Sequence, residues 1–446
     1  MTNPTTNNTP DTPSTPTHTT IPADIPSERR DTHTQWLKEL TAIPTAAGHE
    51  HRVIDWINNW LADRPEIASK ADAHGNIELR LANNEETNNP IYFTAHLDHP
   101  AFVVEETLSS SEVILAFRGG VMSDYFPDAT VRIHPPYDNH HTPDTYTLAT
   151  ITNEHKTENT DDKPWSETDT NDNPQQPKPP FKLYHAILKD PQPIKPGSIA
   201  TWDLPDQEII TDDEGKQILY TNACDDLAAL AAALCALDEL RLANDKNDTR
   251  VLLTRAEEIG FIGAIGACRD RFMPKDSRIL ALENSRAFAD SPIHAGPIVR
   301  VGDRISVFSP DLTGAVAKVA ETISGGPSTP TASQKQSDLP TWRWQRKLMA
   351  GGACEASVFC AYGYTATCLC LPLGNYHNMA NLTEAQAGTH EQDFGHPPRV
   401  GREHIGLDDY QGLIDLLIAS AQSLPESPAF IDRIERLWDQ HANILA

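Results

Sequence analysis

No run of the sequence approaches the ~18–20 consecutive apolar residues that a membrane-spanning helix needs. The first twenty residues, MTNPTTNNTPDTPSTPTHTT, hold neither a basic segment nor an apolar one, so no secretory signal is expected there. Basic side chains are scarce: 36 Lys and Arg stand against 63 Asp and Glu, giving a formal charge of −27. A surface of that sign repels phosphate backbones and anionic headgroups, so neither nucleic acid nor membrane is expected as a partner. Cysteine is sparse and odd in number, seven in 446 residues. That is no disulfide framework, and a reducing cytoplasm is the expected compartment. Cys368 and Cys370 lie two apart in ATCLCLPL. A strand there turns both to one face, where core packing is expected rather than metal binding. No internal repeat is visible.

What is present is a chain long enough for two or three domains, with 39% hydrophobic residues to fill their cores. Residues 1–28 are Thr, Pro and Asn with few large apolar side chains, the composition of a disordered tail. Helical spacing begins near Thr34 with Trp36, Leu37 and Leu40, and resumes after Gly48 with Val53, Ile54, Ile57, Trp60 and Leu61. A strand-turn pattern, DAHGNIELRLA, precedes a buried strand, IYFTAHL, at 91–97. Over 101–204 the texture changes to short β-rich runs: AFVVEE, EVILAF, ATVRIH, TYTLATIT and KLYHAIL. They predict a small β-barrel-like domain, broken by a mobile acidic loop at about 153–180. Helices and strands then alternate, with a helix at 225–240, strands at TRVLLTRA, RILALEN, PIVRVG, RISVFS and 364–371, and two C-terminal helices. Alternation of this kind predicts an α/β fold, an α/β/α sandwich with a largely parallel central sheet. The catalytic α/β domain is expected over 29–100 and 205–446, with the β domain inserted at 101–204.

Five segments place His, Asp or Glu at the end of a strand or the start of a helix, where α/β sheets build their sites. In TAHLD, His96 ends an apolar strand, and Asp98 is placed to fix its tautomer. In NACDDLAAL, Asp225 and Asp226 open a helix, as caps or as a carboxylate bridging two metal ions. In TRAEEIG, Glu257 and Glu258 end a buried strand, where adjacent acids need compensation that a divalent cation supplies. One acid ligates while its neighbour serves as general base. Glu283 ends the strand of ALENS, and His377 follows the strand before NYHNM. Singly each is ordinary. Together His96, Asp225, Glu258, Glu283 and His377 supply two imidazoles and three carboxylates, a donor set for two divalent ions such as zinc, cobalt or manganese.

The segments TAHLD, KPGSIATWD, CDD, EEIG, ALEN, AGPIVRVGD, GGACEASVF and NYHN, in this order over roughly residues 36–420, resemble the co-catalytic metallopeptidases. The resemblance is closest to the tetrahedral aminopeptidases of the glutamyl-aminopeptidase and deblocking-aminopeptidase family. His96 and Asp225 are 129 residues apart (225 − 96), room for the β domain that this family inserts there. Glu283 and His377 are only 94 apart (377 − 283), short for the lid domain of the carboxypeptidase-like branch. The resemblance implies that His96 and Glu283, with His377 and Glu258, hold two metal ions per subunit, zinc first among them, and that Asp225 bridges. Glu257 would be the general base, taking a proton from the attacking water and passing it to the leaving amine, and Asp98 would orient His96. It further implies removal of N-terminal residues from peptides by a cytoplasmic homo-oligomer, dimer-based or dodecameric.

The chain departs from the family pattern at four places. Leu227 stands where an arginine is usual, and Glu283 where aspartate is common. GGACEA, with Glu355, replaces Gly-Gly-Thr-Asp-Ala, and NMAN follows His377. These departures bear on substrate preference. Two other readings therefore remain at this point: hydrolysis of another amide, such as an N-acyl amino acid or a dipeptide, by the same site, and an inactive homologue kept for binding or assembly.

Overall fold

The structure is a computed structural model that describes residues 25–136, 145–155, 181–330, 332–333, 335, 340–425 and 431–445. Most of the expected tail, residues 1–24, and most of the expected acidic loop, residues 156–180, lie outside the described residues. The last residues given to the tail are helical instead: helix α1 (Ser27–Thr41) starts after Pro26. It begins there because Arg29 and Arg30 are anchored, Arg29 on Asp238 and Glu239, Arg30 on Asp415.

Helix α2 (His51–Ala62) follows, burying Val53, Ile57 and Trp60. Strands β1 (Ile67–Ala71) and β2 (Ile77–Leu81) form a hairpin. Its turn is closed by the Asp72 carboxylate, which accepts from the N–H groups of His74 and Asn76. Strand β3 (Ile91–His96) is buried throughout. Six strands then close a barrel: β4 (Ala101–Thr107), β5 (Glu112–Arg118), β6 (Thr130–Ile133), β7 (Thr147–Glu154), β8 (Lys182–Leu188) and β9 (Ile199–Trp202), joined in the order β4-β5-β8-β7-β6-β9. Alternation of apolar and polar residues sends Phe102, Phe117, Tyr184 and Trp202 inward around Phe126, whose ring stacks on Tyr184 at 4.3 Å.

The rest of the chain completes the sandwich. In order come β10 (Glu208–Thr211), β11 (Gln217–Thr221), α3 (Leu227–Leu242), β12 (Thr249–Thr254), α4 (Ile262–Arg269), β13 (Arg278–Arg286), β14 (Ile298–Gly302) and α5 (Pro310–Ser324). Then follow β15 (Gln345–Leu348), α6 (Glu355–Ala361), β16 (Thr365–Leu373), α7 (Leu382–Ala387), α8 (His390–Phe394), β17 (Glu403–Gly406), α9 (Leu407–Ser423) and α10 (Ile431–His441).

The main sheet runs β1-β2-β12-β3-β13-β16-β14-β15, and β10-β11-β17 form a small second sheet. The four central strands β12, β3, β13 and β16 are mutually parallel, while β2 and β14 flank them antiparallel. Period-2 alternation feeds two cores. Phe93, Ala95, Leu280, Leu282, Leu369 and Leu371 face α1, α3, α5 and α9. Tyr92, Ile279, Ala281, Cys368 and Cys370 face α4 and α6. Helix α3 is apolar on nearly every side because it is covered on every side, the pattern of a central helix. The expected α/β/α sandwich with an inserted barrel is the fold observed.

RISVFS is not a strand. Its alternation mimics one, but Asp303 Oδ1 accepts from the N–H groups of Ile305 and Ser306, so the chain turns back after β14. Only an isolated bridge, Gly302 with Val307, remains.

Candidate metal centre

The parallel strands end together. Thr254 of β12 is in register with His96 of β3, and Glu283 of β13 with Cys370 of β16. The sequence-expected residues therefore meet where the carboxyl ends of these strands open. Ligand atoms of His96, Asp225 and Glu283 lie within 4.8 Å of one another, and so do those of Asp225, Glu258 and His377. The two triads share Asp225. His96 Nε2 is 3.6 Å from Asp225 Oδ1, and His377 Nε2 is 3.4 Å from Asp225 Oδ2, one histidine at each carboxylate oxygen. Glu258 Oε1 is 3.5 Å from His377 Nε2. Glu257 Oε2 is 3.9 Å from His96 Nε2, and His96, Glu257 and Glu258 form a third close group. All these side chains are buried or nearly so.

Each imidazole is aimed by its other nitrogen. His96 Nδ1 lies 3.1 Å from the backbone oxygen of Asp98 and 3.5 Å from its carboxylate. The carboxylate of Asp98 has a second engagement: it accepts from the N–H groups of Glu257 at 3.0 Å and Glu258 at 3.1 Å. His377 Nδ1 lies 2.6 Å from the oxygen of Gly120, in the segment after β5, so the inserted barrel domain sets the ring of a histidine of the sandwich. His377 sits at φ +54° within a turn that also holds Asn375 and Asn378 at positive φ. That conformation is costly for histidine, and it is held by the His377 N–H donating to Glu403 at 2.8 Å. The ring of Tyr376 stacks on that of His377 at 3.8 Å.

Three buried residues outside the expected set hold this arrangement. Glu403 spans two segments of the cluster, one carboxylate oxygen accepting from His377 and the other from the N–H groups of Cys224 and Asp225. Glu50 accepts from the N–H of Ala256 at 3.0 Å and of Gly48 at 2.7 Å, and it pairs with Arg255 at 2.7 Å. It thereby fixes the residue before Glu257, where Ala256 adopts φ +53°. His99 lies 2.5 Å from the backbone oxygen of Asp225 and 3.0 Å from Asn378 Oδ1. Its only sequence signal is its place three residues after His96.

So many acids in one buried volume raise one another's proton affinity. Burial pushes Glu258 up to about 7, with Asp225 adding to the effect against the pull of His377. Burial likewise holds Glu257 and Glu283 well above the usual carboxylate range, their acidic neighbours adding to it. Glu355, beside this group, is pushed up to about 7, again by burial first. For His96 and His377 burial favours the neutral ring, but the surrounding carboxylates outweigh it, and His377 rises to about 9. Asp225, between two histidines, goes the other way and is held below the usual range despite its burial. Asp225 Oδ1, Glu258 Oε1 and Glu283 Oε1 are buried without a hydrogen-bond partner among the described residues. Orphaned carboxylate oxygens facing imidazole nitrogens are the donor chemistry of a divalent metal, and two such ions would offset the crowded negative charge. The residues present fit the group.

The comparisons agree with a parallel-centred sandwich that carries an inserted barrel between β3 and β12: residues 192–327 match the M42 glutamyl aminopeptidase family, a stretch that contains Asp225, Glu257, Glu258 and Glu283. The fold is shared with several archaeal enzymes. One is the TET1 peptidase of Pyrococcus horikoshii, which can assemble into a tetrahedron or a large octahedral shell. It is 18% identical, with 87% of this chain and 99% of that chain covered and a TM-score of 0.60. A TET aminopeptidase from a marine sediment thaumarchaeon is 16% identical, with 90% and 99% covered and a TM-score of 0.62. An aminopeptidase from Desulfurococcus kamchatkensis is 17% identical, with 91% and 98% covered and a TM-score of 0.60. No curated protein sequence matches the chain. The expected resemblance to the tetrahedral aminopeptidases is thus borne out.

Proposed function

We propose that the protein is a dinuclear metal-dependent aminopeptidase that removes residues from the N-termini of peptides. The observation that carries this reading is the pair of donor triads sharing Asp225, with Glu257 beside them. Asp225 would bridge, His96 and Glu283 would complete one site, and His377 and Glu258 the other. Two ions, zinc first and cobalt or manganese as alternatives, would polarise the scissile carbonyl and acidify a water when bound.

The chain's own residues do the rest. Glu257 stands next to His96 with a carboxylate of raised proton affinity, suited to accept a proton from the attacking water and return it to the leaving amine. Asp98 and Glu50 hold its backbone from either side, so the carboxylate does not drift as the substrate enters. Burial of the cluster keeps bulk water from competing for the proton. A peptide's N-terminal ammonium complements the surplus of carboxylates, which favours an exopeptidase over an N-acyl hydrolase. The archaeal relatives that assemble support a homo-oligomer, and the acidic chain with its seven free cysteines supports a cytoplasmic location.

The test is a panel of aminoacyl-arylamides and N-acyl amino acids, assayed after chelation and after return of each metal. Metal-restored release of the arylamine is expected, together with a fall in kcat of on the order of 10²–10⁴ for Glu257→Gln at unchanged metal content. Activity indifferent to chelation sinks the metal reading, and turnover of N-acyl substrates alone sinks the exopeptidase.

A further inference from the structure

Helix α10 carries a second surface that the catalytic reading does not use. Ile431, Ile434, Leu437 and Trp438 recur at helical spacing, and Ile444 and Leu445 continue the stripe. These six side chains are between 42% and 81% exposed. Scattered apolar residues on a surface need no explanation, but a stripe of four along one short helix, with two more on the 3-10 turn that follows it, does. The helix has eleven residues, fewer than the ~12–15 at which an isolated helix becomes marginal in water, so something covers it.

The charges flanking the stripe select the cover. At about 100° per residue, Glu435 and Asp439 line one edge of the stripe, Arg433 lies towards the other, and Arg436 points away. When two identical helices pair in parallel, opposite edges meet, so the acidic edge of each faces the basic edge of the other. Antiparallel pairing brings like edges together and sets acid against acid. Residues 431–445 hold two arginines and three acids, a balance of −1 in a chain of −27. Two copies of a chain of this charge repel overall but meet little repulsion here.

We propose that α10 docks through its apolar stripe, in parallel, on α10 of a second copy of this chain. The inference is independent of the catalytic reading. It requires that equal-numbered residues of two copies stand side by side on the stripe and stand apart on its opposite face.

The full chain with Trp438→Cys, mildly oxidised, should give a disulfide-linked dimer on a denaturing gel, while Arg436→Cys under the same conditions gives little. The half-association concentration, from sedimentation velocity, should rise at least about tenfold in Ile434→Ala/Trp438→Ala. It should also rise in Glu435→Arg/Asp439→Arg, and adding Arg433→Glu to that variant should restore it, because the edges are again opposite in sign. Equal crosslinking at 436 and 438 overturns the proposal. So does a charge variant with unaltered association, the mark of antiparallel pairing. A third contrary result is an apolar variant that lowers the melting temperature without altering association, the mark of a helix folded onto its own chain.

Discussion

Raising the pH of the metal-free protein from 7 to 9 should strip stability from the site. Glu403 is pushed up to about 8 by burial and by Asp225, and Glu258 and Glu355 to about 7. His377 is raised to about 9: burial opposes its charge, but Glu258 and Asp225 outweigh burial. Every one of these groups holds its proton more tightly folded than unfolded. The stability it lends is fully present below its ordinary value and lost as the pH climbs through the folded one. Between pH 7 and 9 the linkage relation gives a loss on the order of 1–2 kcal/mol each for His377 and Glu403, and well under about 1 kcal/mol each for Glu258 and Glu355. The groups share one small volume and their contributions overlap, so the whole loss is on the order of 3 kcal/mol, several degrees of melting temperature. His49 and His134, depressed to about 4 and about 3, titrate below this window. Asp409, pushed up to about 8 away from the site, contributes equally with and without metal.

With zinc bound the carboxylates stay ionised throughout and that loss should vanish, so the gap between loaded and metal-free melting curves widens from pH 7 to 9. Calorimetry in chelator and in zinc measures it. A metal-free melting temperature that stays flat over this range, or one that falls equally in the loaded protein, refutes the reasoning.

Glu50→Gln should lower kcat by about tenfold or more while metal content stays unchanged, because it frees the backbone before Glu257 without touching a proposed ligand. Elemental analysis beside kinetics separates that from a lost metal site. Asp238→Ala should destabilise the fold by about 2–4 kcal/mol by chemical denaturation, since the buried Asp238 joins Arg29, Arg64 and Arg241 and so ties α1 and the end of α2 to α3. The partly exposed arginines keep the figure below that of a fully buried network. Asp238 is also held below the usual carboxylate range by these arginines against the effect of burial. Its contribution is therefore present above the ordinary carboxylate value and lost only as the pH falls through the depressed one, well outside the window above.

The central strands were legible because parallel strands covered on both faces read as unbroken apolar runs, and their ends mark the site. IYFTAH, RILALE and TATCLCLPL each stop at or near a residue of the centre. Helix α3 was legible from DDLAALAAAL for the same reason. The short flanking strands β1, β10, β15 and β17, of four or five residues, carry too few positions to show a period. RISVFS shows one and is a turn, because one aspartate captures two N–H groups. Within the site, residues with donor atoms at strand ends announced themselves. Glu50 and Glu403 did not, since each acts on backbone N–H groups up to 206 residues away in sequence, which only the folded chain brings near. Asp98 was read as the partner of the His96 ring, while its carboxylate also clamps Glu257 and Glu258.

Five side chains are proposed to hold two metal ions about a shared Asp225. The most direct test is the count of zinc per chain after reconstitution and exhaustive dialysis, in the wild type and in Asp225→Ala. Two ions in the wild type and at most one in the variant are predicted. No retained zinc in the wild type, or two ions retained without Asp225, would contradict it.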